Sequence, residues 1–232
     1  MWRWYSIAVF CLAAALLFCA ALASGSHNYQ WLGDYFSKVQ TQQKVIALTF
    51  DDGPRGAVSQ KLLHQLQQLN VRATFFLLGR QIQQYPQITA ELVKSGHQLA
   101  NHSFGHYAMD GAGFWRYWQD IRETDRLLQH AGYKGPILFR APFGRKQLVL
   151  PLVLLLQNKT HVLWNINPRD YLGRSPSQLT EYVLKQAAPG SIVLLHDLPN
   201  TVAALPAMVA GLQQQGYQLV TVNQLMELNT KS

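Results

Sequence analysis

The feature that most restricts how this chain can fold is an alternation. From Lys44 onward, short apolar runs take turns with longer segments whose apolar residues recur at helical spacing. "KVIALTF" (44–50) reads as a buried strand. "VSQKLLHQLQQLN" (58–70) reads as an amphipathic helix with Leu62, Leu63, Leu66 and Leu69 on one face. The pattern repeats with strand "RATFFLLG" and helix "PQITAELVKSG", then strand "HQLANHS" and helix "FWRYWQDIRETDRLLQHAG". Strand "PILFRAPFG" precedes "KQLVLPLVLLLQN", a helix interrupted by Pro151. Strand "THVLWNIN" precedes "SPSQLTEYVLKQAAPG", a helix capped by Ser175 with Pro176 in its first turn. Strand "SIVLLHD", helix "VAALPAMVAGLQQQG" and a last strand and exit, "YQLVTVNQLME", complete the chain. About seven β-α units in series, without a break, describe one domain built on a parallel sheet covered by helices. Such units close into a barrel or stay open as a doubly wound sheet, and periodicity alone does not separate the two.

The N-terminus stands apart. Residues 1–23, "MWRWYSIAVFCLAAALLFCAALA", combine Arg3, an apolar run from about Ile7 and a small-x-small ending at Ala21-Leu22-Ala23. That is the form of a secretory signal peptide, with an uncleaved membrane anchor as the alternative reading. Residues 24–43 are expected to form a polar arm, and residues 44–232 the folded domain. Both cysteines, Cys11 and Cys19, lie in the leader, so a chain starting at Ser24 has no thiolate and any metal site in it uses His, Asp or Glu. Such a chain is expected outside the cytoplasm, periplasmic or extracellular, as a monomer resting on its packed core, with a transient association with the membrane or envelope left open.

With 48% hydrophobic residues, the chain is not a disordered one. Its 20 Lys and Arg against 12 Asp and Glu give a net charge of +8, which favours an anionic polymer or envelope surface. Nucleic acid is not the expected partner, because no basic block, zinc-finger spacing or RNA-binding aromatic motif is present.

The polar residues fall at one kind of position. Asp51 and Asp52 follow the first strand, His102 and His106 the third, Arg140 ends the fourth, Asp170 follows the fifth, and His196-Asp197 the sixth. In parallel α/β folds these C-terminal strand ends share a face, and that face carries the chemistry. Singly, each residue has an ordinary explanation: a turn former, a helix cap, a surface pair or a core histidine. Five clusters at the same kind of position point to a site.

One aspartate and two histidines make an N/O ligand set with open positions, suited to a catalytic Zn²⁺. The second carboxylate and His196 supply a base for water and an acid for the leaving group. Arg140 would hold the base ionised, Asp170 would keep His196 protonated, and backbone N–H groups after Pro142 would meet the oxyanion.

"TFDDGP" (49–54), "HSFGH" (102–106), "RAPFG" (140–144), "WNINPRDY" (164–171) and "LLHD" (194–197) resemble, in order and spacing, the five motifs of the polysaccharide deacetylases, carbohydrate esterase family 4 with the NodB homology domain. The likeness covers about residues 44–225. It implies a distorted (β/α)7-type barrel and metal-dependent removal of acetyl groups from a glycan. By the same resemblance, Asp51 is the base; Asp52, His102 and His106 hold Zn²⁺ or another divalent metal such as Co²⁺; Arg140 orients Asp51. Phe143 donates its N–H to the oxyanion, Asp170 and His196 are the tuning carboxylate and the acid, and Leu194, with Tyr171 and Pro142, is on the substrate side. Tyr171 stands where the family often has Trp, Asn167 where an acid is common, and Arg55-Gly56 where polar residues are usual. The expected substrate is an N-acetylated glycan: peptidoglycan, a chito-oligosaccharide or an exopolysaccharide. O-acetyl esterase or lipid-linked amino-sugar deformylase activity, and a silent glycan-binding protein, are the alternatives.

Overall fold

The computed structural model describes residues 5–7, 9–12, 30–109, 113–146 and 149–229. Most of the leader, and the first part of the polar arm, therefore lie outside the described residues, and the signal-peptide reading is not addressed by them.

The centre of the molecule is β2 (Val45–Asp51), buried at all seven positions. It pairs in parallel along its whole inner length with β6 (Ser191–His196), from Ile46 opposite Ser191 to Asp51 opposite His196. Its other edge is shared. The upper half takes β3 (Thr74–Leu77), and the lower end takes β7 (Gln218–Leu219). β3 pairs with β4 (Gln98–Asn101). Parallel bridges from Asn101 to Phe139, from Phe139 to His161 and from Ile166 to Val193 then carry the ring back to β6. The sheet thus closes as a distorted barrel, and the open alternative is set aside.

The closure is weakest where the sequence suggested two full strands. The segment 136–144 contributes only Phe139 to the ladder. Pro136 and Pro142 flank it without donors, and the chain turns into a 3-10 turn at Pro142–Gly144. The segment 160–167 shrinks to β5 (His161–Val162). β5 gains an unforeseen partner, β1 (Tyr35–Phe36), so the arm is not all surface. Val39 is fully buried, and its N–H donates to the Gly190 carbonyl at 2.9 Å. Gly190, at φ +77, is required there, since a Cβ would lie 1.9 Å from the Val39 carbonyl oxygen.

Helices cover the barrel. α1 (Ala57–Gln68) buries Leu62, Leu63 and Leu66 as the sequence pattern required. Two short helices, α2 (Gly79–Gln84) and α3 (Pro86–Lys94), separate β3 from β4, and α2 was not foreseen. α4 (Phe114–His130) follows β4. α5 (Val149–Leu156) runs through Pro151 as one helix among the described residues, so the expected interruption is not seen there. α6 (Pro176–Gln186) starts on the Ser175 cap, which forms a reciprocal box with Gln178. α7 (Pro199–Gln214) follows β6. The expected strand exit after β7 is instead α8 (Val222–Met226), opened by a second such box between Thr221 and Gln224.

Period-two alternation sorts the strands' side chains. Ile46, Leu48, Phe50, Phe75, Leu77, Leu99, Val193 and Leu195 pack outward under the helices. Val45, Ala47, Phe76, Ala100, Leu138, Val162 and Ile192 fill the barrel interior. Two or four residues further along those inward positions stand Asp51, His102, Arg140, Leu194 and His196. The site is the upper layer of the barrel's own interior.

Candidate active site

Asp51 ends β2 pointing inward, 2% exposed. Arg140, fully buried, faces it from across the barrel, its Nη1 donating to Asp51 Oδ1 at 2.6 Å. The rest of the guanidinium is also used. Nη1 reaches Thr49 Oγ1 at 2.8 Å, Nε the Val162 carbonyl at 3.1 Å, and Nη2 the Leu163 carbonyl at 2.9 Å. Its carbon lies 3.8 Å from the centroid of the Phe76 ring. Burial lowers the guanidinium's pKa, and the Asp51 charge works against that fall. A buried ion pair is tolerable only when its remaining polar atoms are satisfied, as they are here.

In a regular strand the neighbour of Asp51 would point outward. Asp52 instead adopts φ +71, a left-handed turn that Asp tolerates better than most residues, and this swings its carboxylate to the same side. The break that brings the two acids together begins at Asp52 itself, one residue before the Gly53-Pro54 step that the sequence suggested. Asp52 Oδ1 then lies 3.2 Å from His106 Nε2 and 3.5 Å from His102 Nε2. His102 Nδ1 is 2.8 Å from the Arg140 carbonyl, which can only accept, so Nδ1 carries the proton and Nε2 offers a lone pair. Asp52 Oδ1 is buried without a hydrogen-bond partner. The three donor atoms of Asp52, His102 and His106 lie within 4.8 Å of one another. Three lone-pair atoms converging with a buried acceptor left orphaned is an arrangement a divalent cation satisfies, and it suits Zn²⁺.

The electrostatics agree. Burial opposes ionisation of Asp52, but His102, His106, His196 and Arg55 together outweigh it and hold the carboxyl below its ordinary range. Burial and the neighbouring His102 push the His106 pKa down against the pull of Asp52 and Asp51, favouring the neutral ring that a ligand must be. Ser103 (φ +69), His106 (φ +60) and Phe143 (φ +59) are also left-handed, so the loops that shape this layer hold conformations costing ~1–2 kcal/mol per residue.

Across the cavity, His196 Nδ1 meets Asp170 Oδ1 at 2.8 Å, and the His196 N–H donates to Asp170 Oδ2 at 2.7 Å. Thr201 donates to that same oxygen at 2.7 Å. Burial alone would lower the imidazole's pKa, but the hydrogen bond and charge of Asp170, with Asp51 and Asp52 behind, raise it. The Tyr171 ring stands perpendicular to the imidazole at 5.5 Å.

These residues line one cavity of about 540 Å³, shared by Asp51, Asp52, His102, His106, Phe143, Tyr171, Leu194 and His196. Arg140 and Asp170 are buried behind its wall. Phe143 sits in the turn at the mouth, 60% exposed, its ring 4.5 Å from that of His106. Pro142 is buried in the same turn and does not line the cavity, so the structure does not bring it to the substrate side.

Sequence reasoning gave several contributors no role in the site. Trp164, Leu198, Asn167 and Arg55 also line the cavity. Arg55 donates to Asp52 Oδ2 at 2.9 Å, leaving Oδ1 to the histidines, and its N–H donates to Ser59 Oγ at 2.6 Å. Ser59 in turn hydrogen-bonds the buried carboxylate of Asp197, on which Gly53 packs so closely that a Cβ would lie 2.6 Å from Oδ2. Burial pushes the Asp197 pKa up to about 6. Its place directly after His196 was the one available signal.

Comparison with known proteins gives the same site a lineage. The polysaccharide deacetylase family matches residues 38–156. The peptidoglycan-N-acetylmuramic acid deacetylase PdaC of Bacillus subtilis is 35% identical over 197 residues, covering 82% of this chain and 40% of that protein. A peptidoglycan-N-acetylglucosamine deacetylase of Bacillus cereus is 33% identical over 195 residues, covering 82% of this chain and 91% of the relative. The crystal structure of the Bc1960 peptidoglycan N-acetylglucosamine deacetylase, in complex with a naphthalenyl N-oxidanyl-benzamide, superposes with a TM-score of 0.81 at 29% identity, over 85% of this chain and 95% of that one. Motifs, barrel and relatives agree: the chain belongs to the polysaccharide deacetylase family.

Proposed function

We propose that this chain hydrolyses N-acetyl groups from a glycan of the bacterial envelope, with peptidoglycan as its polymer, as the names of its relatives suggest. One observation carries the reading: the converging Asp52, His102 and His106 donors share one cavity with Asp51 and His196, which Arg140 and Asp170 hold from behind its wall.

Asp52, His102 and His106 would hold a divalent cation, Zn²⁺ or Co²⁺, which when bound supplies Lewis acidity toward the acetyl carbonyl and the attacking water. Asp51 takes the proton of that water, and Arg140 holds its carboxylate aimed. As the water oxygen bonds to the carbonyl carbon, the Phe143 N–H faces the oxygen that gains charge. His196, protonated beside Asp170, gives its proton to the departing nitrogen as the C–N bond breaks. Acetate and a free amine on the sugar result. Leu194, 4% exposed, and Trp164 line the cavity and would supply the apolar wall for the acetyl methyl group. The leader, read as a secretory signal or anchor, supports a site of action outside the cytoplasmic membrane.

Acetate release from peptidoglycan, chito-oligosaccharides and acetylated xylan, assayed in parallel, tests the reading. Release from the first, lost on chelation and restored by Zn²⁺ or Co²⁺, is expected. Xylan as the sole substrate would make it an ester hydrolase, and no release from any would leave a glycan-binding protein.

A further inference from the structure

α5 does not fit its position. Its sequence, Val-Leu-Pro-Leu-Val-Leu-Leu-Leu, has no polar side chain. A helix apolar on every side belongs in a core or a bilayer, because at a protein surface one face must meet water. Among the described residues only one side of α5 is packed into a core. Leu150, Val153 and Leu154 pack with Tyr117 and Ile121 of α4. The other side presents Val149, Leu152, Leu155 and Leu156, between 36% and 55% exposed. Their three- and four-residue spacing makes one continuous stripe.

The N-terminal arm runs along the same side. Gly33 lies against Leu155 and the Pro151 carbonyl, so that a Cβ there would be 3.8 and 3.9 Å from them. Gln30 is pinned to the barrel by its Oε1, 2.7 Å from His161 Nδ1. Trp31, between them, is 37% exposed and adds an amphipathic ring of the kind that settles at a membrane–water boundary. The apolar leader ends at Ala23, and residues 24–29 reach at most ~25 Å from there to Gln30. The end of the leader is therefore tethered within that reach of the arm that runs beside the stripe.

We propose that this stripe, with Trp31, is a docking face for an anionic phospholipid bilayer, on which the domain lies while its leader occupies the same membrane. α5 is ~12 Å long, far short of the ~30 Å needed to cross, so it lies in the interfacial plane. The net charge of +8 adds attraction to anionic headgroups. The turn at the cavity mouth ends at Gly144 and α5 begins at Val149, which holds the mouth within ~18 Å of the docked helix. The inference stands apart from the catalytic reading.

The test uses the full chain with Cys11 and Cys19 replaced by serine and one environment-sensitive fluorophore, placed through Leu156→Cys or, as control, through His64→Cys on α1. The protein is reconstituted with vesicles of phosphatidylethanolamine and phosphatidylglycerol. The expected result is a blue shift at 156 and loss of most of its emission to headgroup spin-labelled lipid, with neither at 64. Leu152→Ser with Trp31→Ser should abolish the shift while the leader keeps the protein on the vesicles. Identical spectra at 156 with and without vesicles would overturn the proposal. So would a shift without lipid: one that depends on protein concentration means a second copy covers the face, and one that does not means the chain's own leader covers it.

Discussion

Asp51 and Asp52 are neighbours with different environments, and substitution separates them. Asp51→Asn keeps the metal ligands and removes the proton acceptor, so metal content should persist while turnover falls roughly 10²- to 10⁴-fold. Asp52→Asn removes a ligand, and its metal affinity should fall by more than the ~10–100-fold that losing an outer partner costs. Metal titration of the two variants decides, and the reverse pattern would exchange their roles. His196 makes a pH prediction with a definite sign. Its pKa is raised by Asp170, so the protonated acid survives to higher pH and activity falls as pH climbs through that raised value. Asp170→Asn should move the alkaline limb of the pH–rate profile downward and leave metal content intact; an unmoved limb would reduce Asp170 to a turn former. Most of these residues were legible in the sequence, because strand ends, spacing and residue type all pointed to one face. What was not legible was Asp52's φ of +71, since nothing in a string of letters says which of two adjacent acids leaves the strand.

At the scale of elements, the end of β6 is joined to the first turn of α1 by Asp197 and Ser59. The folded state raises the Asp197 pKa to about 6, so it favours the protonated form. The associated stability is present below the ordinary carboxylate value near 4 and is lost as pH rises through about 6. Asp197→Asn should flatten the dependence of the unfolding free energy in urea on pH across that window, by an amount on the order of 3 kcal/mol. A profile parallel to that of the native chain would show that Asp197 ionises freely. The helices and the central strands were legible because their periodicities persist over several turns or pleats. The fourth and fifth strands were not, because they hold on through single bridges at Phe139, His161 and Ile166, and one-residue pairings leave no period to read. The box opening α8, Thr221 with Gln224, was present in the sequence and masked by the β-branched run before it.

At the scale of the molecule, the charge of +8 bears on which polymers are bound quickly. Raising ionic strength should weaken the apparent affinity for anionic peptidoglycan several-fold while leaving a neutral chito-oligosaccharide nearly unaffected, because screening acts on the exposed charges. Equal salt sensitivity for both would mean that the charge serves solubility alone. The barrel's inward alternation has a consequence for descent as well. Val45, Ala47, Thr49 and Asp51 share one face because they are spaced by twos, and the same count carries Ile192 to Leu194 and His196. Gaining or losing a single residue within either strand would turn the catalytic face toward the helices and the oily face into the cavity. Lineages that keep the chemistry are therefore free to exchange residues along these strands, but their insertions and deletions must collect in the loops above and the helices outside, or arrive in pairs.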